Sequence, residues 1–159
     1  MAWLFPYVLF LHVMGAILAF GPTYAFSIIG AMGGKEPQHA NFGARVIARI
    51  GTALSYPLAI FQGVTGVALI LIGNISIMNR TWLVIGIVLY AIALTYALTV
   101  QRSALHHVID LTSAPPPAGA PAGPPPELVA TIKKVQRGGM FLGLMIVVIV
   151  FLMVVKPQF

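Results

Sequence analysis

From Leu4 to Ile29 the chain reads LFPYVLFLHVMGAILAFGPTYAFSII, twenty-six residues without one Asp, Glu, Lys or Arg. A helix rises about 1.5 Å per residue and the hydrocarbon core of a bilayer is about 30 Å thick, so roughly 20 apolar residues cross it. This run crosses with length to spare for tilt. Three further apolar runs follow, and together they predict an all-α, polytopic membrane protein. The expected fold is one four-helix domain over residues 1–159, an antiparallel bundle with spans at about 4–29, 50–73, 82–102 and 139–155.

Composition supports this reading and narrows the function. Of the 159 residues 59% are hydrophobic and 8% charged, where soluble domains carry roughly a quarter charged residues. No cysteine is present, which removes disulfides, thiolate metal sites and iron–sulfur clusters together. The formal charge of +6 does not indicate nucleic acid, because the nine basic residues are divided among the flanks of apolar segments, where they meet lipid headgroups and set topology. The first run lacks a basic leader and is too long for a signal sequence, so it is expected to remain in the mature protein.

Between the spans the expected connections differ in kind. GAMGGKEPQHANFGARVIAR is a polar segment carrying Lys35, Arg45 and Arg49, in which Asn41 is a candidate helix cap. Pro57 lies inside the second span and predicts a kink. Asn74 to Arg80 is a short hairpin, after which Trp82 opens the third span at an interface. The third helix is expected to run into water to Leu111. Residues 113–126 include SAPPPAGAPAGPPP, seven prolines in fourteen residues, an extended spacer rather than a site. Glu127 to Arg137 reads as a short surface helix. Lys35, Arg45, Arg49, Arg102, Lys133, Lys134 and Arg137 flank the first and third loops, against Arg80 and Lys156 on the opposite side. Basic residues are retained in the cytoplasm, so both termini are expected outside, in a bacterial inner membrane.

Lipid is as apolar as leucine, so close approach through small residues has to bring the helices together. Gly15 and Ala19 in the first span, Gly51, Ser55, Ala59 and Gly63 in the second, and Gly139 and Gly143 in the fourth supply such ridges at intervals of four. The third span has Ala91, Thr95 and Thr99. Packing within one bundle is the expected use, and a homodimer face is the other.

His12 is the one group in the first span that hydrocarbon penalises clearly. It precedes Gly15 and Ala16 by three and four residues and so shares their inward face. Counting from the centre of each span places it about 7 Å to the outer side, at the level of Gln62, Thr65, Tyr90 and Met153. Two readings follow. In the first His12 is a neutral imidazole hydrogen-bonding Gln62, Thr65 or Tyr90. In the second it is an axial ligand of a haem b, opposite Met153 or a second His12 in a parallel dimer. His106 and His107 lie some 25 Å away by the same count and serve neither. Glu36, Asp110 and Glu127 have no partner at acid–base spacing, so no catalytic residue is assigned.

The leading LHVMGAILAFGP resembles the first helix of small bacterial four-helix membrane proteins of unknown function, and the terminal FLMVVKP is similar to the way those chains close. The leading motif is more distantly similar to copper-resistance membrane proteins and to the haem-binding bacterial protoporphyrinogen oxidase. That second likeness implies a histidine in an early helix that holds haem, and only His12 matches it, since the second intramembrane histidine is missing here. The function expected from the residues is that of a non-enzymatic accessory subunit, contacting the lipid bilayer and other membrane protein subunits and not nucleic acid. A haem or metal-binding redox protein is the alternative.

Overall fold

The computed structural model describes residues 2–114 and 123–157. Helix α1 (Phe5–Lys35) follows a short 3-10 turn, Ala2–Leu4. A second 3-10 turn, Pro37–His39, leads into α2 (Ala40–Ile50), the π-helical turn Gly51–Ser55 and α3 (Tyr56–Ile72), which run on as one rod. After the hairpin come α4 (Thr81–Tyr96), the π-helical turn Ala97–Gln101 and α5 (Arg102–Thr112), a second composite rod, and then α6 (Pro126–Val155). Four helices are thus long and apolar enough to cross a membrane, over Phe5–Lys35, Pro37–Ile72, Thr81–Thr112 and Pro126–Val155. No strand occurs among the described residues.

Pro57 explains the first π-helical turn. Proline has no N–H to give to the carbonyl four residues back, and its ring crowds that carbonyl. The chain widens just before it: the N–H of Tyr56 reaches the carbonyl of Gly51, five residues back. The expected kink is taken up as one wide turn, and the helix continues. Pro22 lies inside α1, which likewise continues through it.

The rods pack in chain order. α1 lies against α2 and α3, α4 and α5 lie against α6, α2 meets α5, and α1 meets α6. Close approach at the α1–α2 corner depends on Gly33, where a Cβ would stand 3.3 Å from the Cα of Ala40. Two small cores close the bundle at its ends. Trp82, Leu83 and Leu152 form one, with Ile70, Ile75 and Met153 around them. Trp82, at the start of α4, is buried against α6, with the Lys156 ammonium 5.9 Å above its ring. At the opposite end Ala44, Leu105 and Val108 form the other core, ringed by Ile47, Ile109, Leu128 and Ile132.

Three boundaries differ from the sequence reading. α1 extends to Lys35, so the connection 30–49 shortens to a few residues around Pro37–His39. Asn41 does not cap a helix start. Its amide donates across to α5, to the Ile109 carbonyl at 3.1 Å and the Thr112 hydroxyl at 3.0 Å, and so satisfies acceptors at that helix's end. Residues 127–137 are not a separate surface helix but the first turns of α6. Within the proline-rich segment 113–126, residues 115–122 lie outside the described residues.

The rods are longer than a bilayer is thick. The 36 residues of Pro37–Ile72 measure about 54 Å, against a hydrocarbon core of about 30 Å. Counted from the helix ends beside Trp82, Ala44, Leu105, Val108 and Ile132 lie about 35–42 Å away, more than the hydrocarbon thickness. By that count the second core lies beyond the hydrocarbon, at the level of the polar headgroups.

Candidate functional site: the polar cluster at His12

His12 faces α3 because Gly15 and Ala19, on the same side of α1, are buried there. Its ring packs over Gly66, where a Cβ would stand 3.3 Å from Cε1. Both ring nitrogens are engaged: Nδ1 lies 2.9 Å from the Thr65 hydroxyl and Nε2 lies 2.9 Å from the Gln62 amide nitrogen. The proton positions follow from counting donors. The Thr65 hydroxyl has its own acceptors in the carbonyls of Phe61 at 3.0 Å and Gln62 at 3.1 Å, so it receives a bond from His12 Nδ1–H. Nε2 then accepts from the Gln62 amide, and the network closes on a neutral imidazole.

Gln62 Oε1 is left over. It is buried without a partner, lodged above Gly15, where a Cβ would stand 2.9 Å away. A side chain at 15 would push on that oxygen and on the Phe61 ring, 3.3 Å from the same Cβ. Tyr90 does not join the His12 network. Its hydroxyl donates to the Ala59 carbonyl at 2.7 Å, one turn closer to the other end of α3, and Gly63 makes room for the phenol.

Met153 sits elsewhere again. Its methyl group rests against Gly86 on α4, within the cluster of Trp82 and Leu152. An axial ligand needs a free imidazole nitrogen facing the iron, whereas α3 holds both nitrogens of His12. The residues present therefore do not fit a His12/Met153 haem site. Among the described residues no group of three His, Cys, Asp or Glu could hold a metal ion. What the cluster can do is join α1 to α3 with directional bonds inside the bilayer, where packing alone has little selectivity.

The small-residue ridges divide between the two sides of the bundle. Gly51, Ser55 and Ala59 are buried and Gly63 meets Tyr90. Residues four apart advance by 400° on a 100° helix, so a ridge at that interval drifts by about 40° per step. On α1 the drift carries it from Gly15 and Ala19, which are buried, to Ser27 and Ala31, which line an open groove with Ile28 and Met32. On α6 the close contact falls at Gly138, where a Cβ would overlap Gln101 Oε1 and stand 2.8 Å from the Tyr96 hydroxyl. Gly139 and Gly143, the expected packing residues, have no atom within 4 Å of a Cβ. Gly138 and Gln101 were missed by sequence. The only signal for them is a glycine pair at 138–139, of which one member faces in.

At the water-exposed end His107 Nε2 lies 3.0 Å from Glu127 Oε1, linking α5 to the start of α6. A second histidine–carboxylate contact joins His39 to Glu36 at 3.9 Å.

Compared with curated proteins and with solved structures, the chain has no match. The likeness to copper-resistance proteins and to protoporphyrinogen oxidase thus gains no support. One family does match, over residues 6–157, and it is described as a predicted integral membrane protein. The chain belongs to that family of integral membrane proteins of unknown function, DUF2269.

Proposed function

We propose that the protein is an accessory subunit of a larger membrane assembly, energy-transducing or transporting, and acts through helix contacts without chemistry of its own. The observation that carries this reading is the open glycine pair on α6. Gly139 and Gly143 stand one turn apart with no atom within 4 Å, so a neighbouring helix can approach the α6 backbone there more closely than anywhere a larger side chain projects. The outward apolar side chains on α6, among them Met140, Leu144 and Val147, frame that surface. The polar cluster supports the same reading from within, since each nitrogen of His12 already has a structural partner. The basic residues at one end favour a bacterial cytoplasmic membrane with both termini outside.

Purification in mild detergent at native expression tests the assignment. The expected result is companion subunits that co-elute with the wild-type chain and are lost with Gly139→Leu or Gly143→Leu. A clean monomer without companions overturns it. No observation favours the alternative, a haem or metal-binding redox protein using His12. One absorption spectrum of the purified protein, oxidised and then reduced, separates the two.

A further inference from the structure

Ser55 ends the first wide turn and is 7% exposed, yet its hydroxyl makes no hydrogen bond. A hydroxyl on a helix ordinarily donates to a carbonyl three or four residues back, and those of Thr23, Ser27, Thr52, Thr65 and Thr99 all do so here. At Ser55 the wide turn intervenes. The carbonyl of Gly51, four residues back, turns instead to the N–H of Tyr56. The amide oxygens of Gln62 and Gln101 also lack partners, but each of those side chains is anchored at its nitrogen. Ser55 has no anchor.

The wide turn lies against α1, and α1 carries a shortage of its own. Pro22 stands inside it, so the Leu18 carbonyl loses the N–H that a helix would give it. On α3 the wide turn absorbs the proline, whereas α1 is α-helical from Phe5 to Lys35 and has no such turn. The next hydroxyl along α1, Thr23, donates to Phe20 and leaves Leu18 unserved. The two shortages lie at one level. A Cβ on Gly43 would stand 3.8 Å from the Ile29 carbonyl, which fixes the register of the antiparallel pair. Moving about 16 Å from that contact leads to Leu18 on α1 and to Leu54 and Ser55 on the other rod. Ala19, beside Leu18, is 0% exposed, so the helices are in close contact there.

We propose that one water molecule is bound between α1 and the wide turn, accepting from the Ser55 hydroxyl and donating to the Leu18 carbonyl. Inside a bilayer the carbonyl freed by a proline is re-satisfied by a neighbouring side chain or an ordered water, and a buried water settles where polar groups otherwise lack partners. Ser55 does not reach a carbonyl directly, so the water completes the contact. Depth gives it a source. Counted from Ile72, Ser55 lies about 25 Å along the rod, about 5 Å short of the far hydrocarbon boundary.

A crystal structure of the full chain, at a resolution that shows ordered water, tests this directly. The expected result is one peak of density about 2.8 Å from both Ser55 Oγ and the Leu18 oxygen. Unfolding by SDS in mixed micelles supplies an independent readout. If Ser55 is bonded through water, Ser55→Ala strands the Leu18 carbonyl and lowers the SDS fraction at the midpoint; if the hydroxyl is simply orphaned, its removal raises that fraction. Pro22→Ala returns an N–H to Leu18, so Ser55→Ala should shift the midpoint less in that background than in the wild type. A raised midpoint for Ser55→Ala, or an equal shift in both backgrounds, overturns the proposal. So does density that shows no water at Ser55, or a Ser55 hydroxyl bonded directly to a carbonyl.

Discussion

Replacing His12 by Ala removes two hydrogen bonds at once, and the structure sets the size of the effect. Interhelical hydrogen bonds in membranes average about 0.6 kcal/mol and reach about 1.7 kcal/mol. Two of them give about 1.2 kcal/mol. Thr65 loses little more, because its hydroxyl keeps the carbonyls of Phe61 and Gln62. Gln62 loses more, since its amide nitrogen joins the oxygen that already lacks a partner. The total expected is about 1–2 kcal/mol of lost stability. Unfolding by a rising fraction of SDS in mixed micelles, followed by circular dichroism, measures it. In the same assay Thr65→Val removes one bond, about 0.6 kcal/mol, and the double substitution should fall short of the sum of the singles by about the same amount. A cost below about 0.3 kcal/mol for His12→Ala, or perfect additivity with Thr65→Val, refutes the reasoning from this network. Loss of a Soret band on His12→Ala refutes it differently, because it would place iron where the structure places Gln62.

Neighbouring glycines on α6 should respond oppositely. Gly138→Ala drives a methyl into Gln101 and Tyr96 and should cost about 1–3 kcal/mol, whereas Gly139→Ala meets open space and should stabilise the isolated chain by about 0.5–1 kcal/mol through helix propensity, both read by the same titration. Gly63→Ala places a methyl 2.6 Å from the Tyr90 hydroxyl, so it should break the bond to Ala59 and lower stability by more than Tyr90→Phe does. Single cysteines at Ser76 and Ser113 should differ in labelling by an impermeant reagent on intact cells, with Ser76→Cys labelled and Ser113→Cys protected. The reverse pattern inverts the topology. His107→Ala, which removes an exposed polar contact with Glu127, should change stability by less than about 1 kcal/mol.

The four spans were legible because hydrocarbon enforces a simple rule, long apolar runs with few charges, and each run met it. His12 could be set at the level of Gln62 and Thr65 because a helix converts residue count into depth, and few polar groups exist at that depth to choose from. Helix ends were harder to read. Lys133, Lys134 and Arg137 mark where α6 leaves lipid, but a helix does not stop where its solvent changes, so the charges marked the boundary and not the end of the helix. The choice between Gly138 and Gly139 turned on a rotation of 100°, an offset that a ridge drifting by 40° per step accumulates within three steps. The buried position of Trp82 depended on α6, a partner some seventy residues away in sequence, about which local preference carries no information.

The core at Ala44, Leu105 and Val108 lies farther along the helices than a hydrocarbon layer reaches, and this changes what holds the spans together. Between lipid-facing helices there is no hydrophobic driving force, whereas apolar area buried from water contributes about 25 cal/mol per Å². Part of the cohesion of the bundle is therefore generated beyond the hydrocarbon, by three helix ends gathered like the knot above a sheaf. Urea acts from the aqueous side, so it should loosen the helices from that end first while the spans remain inserted. At that end a membrane protein of this build responds to the solution beside it as a small soluble bundle would.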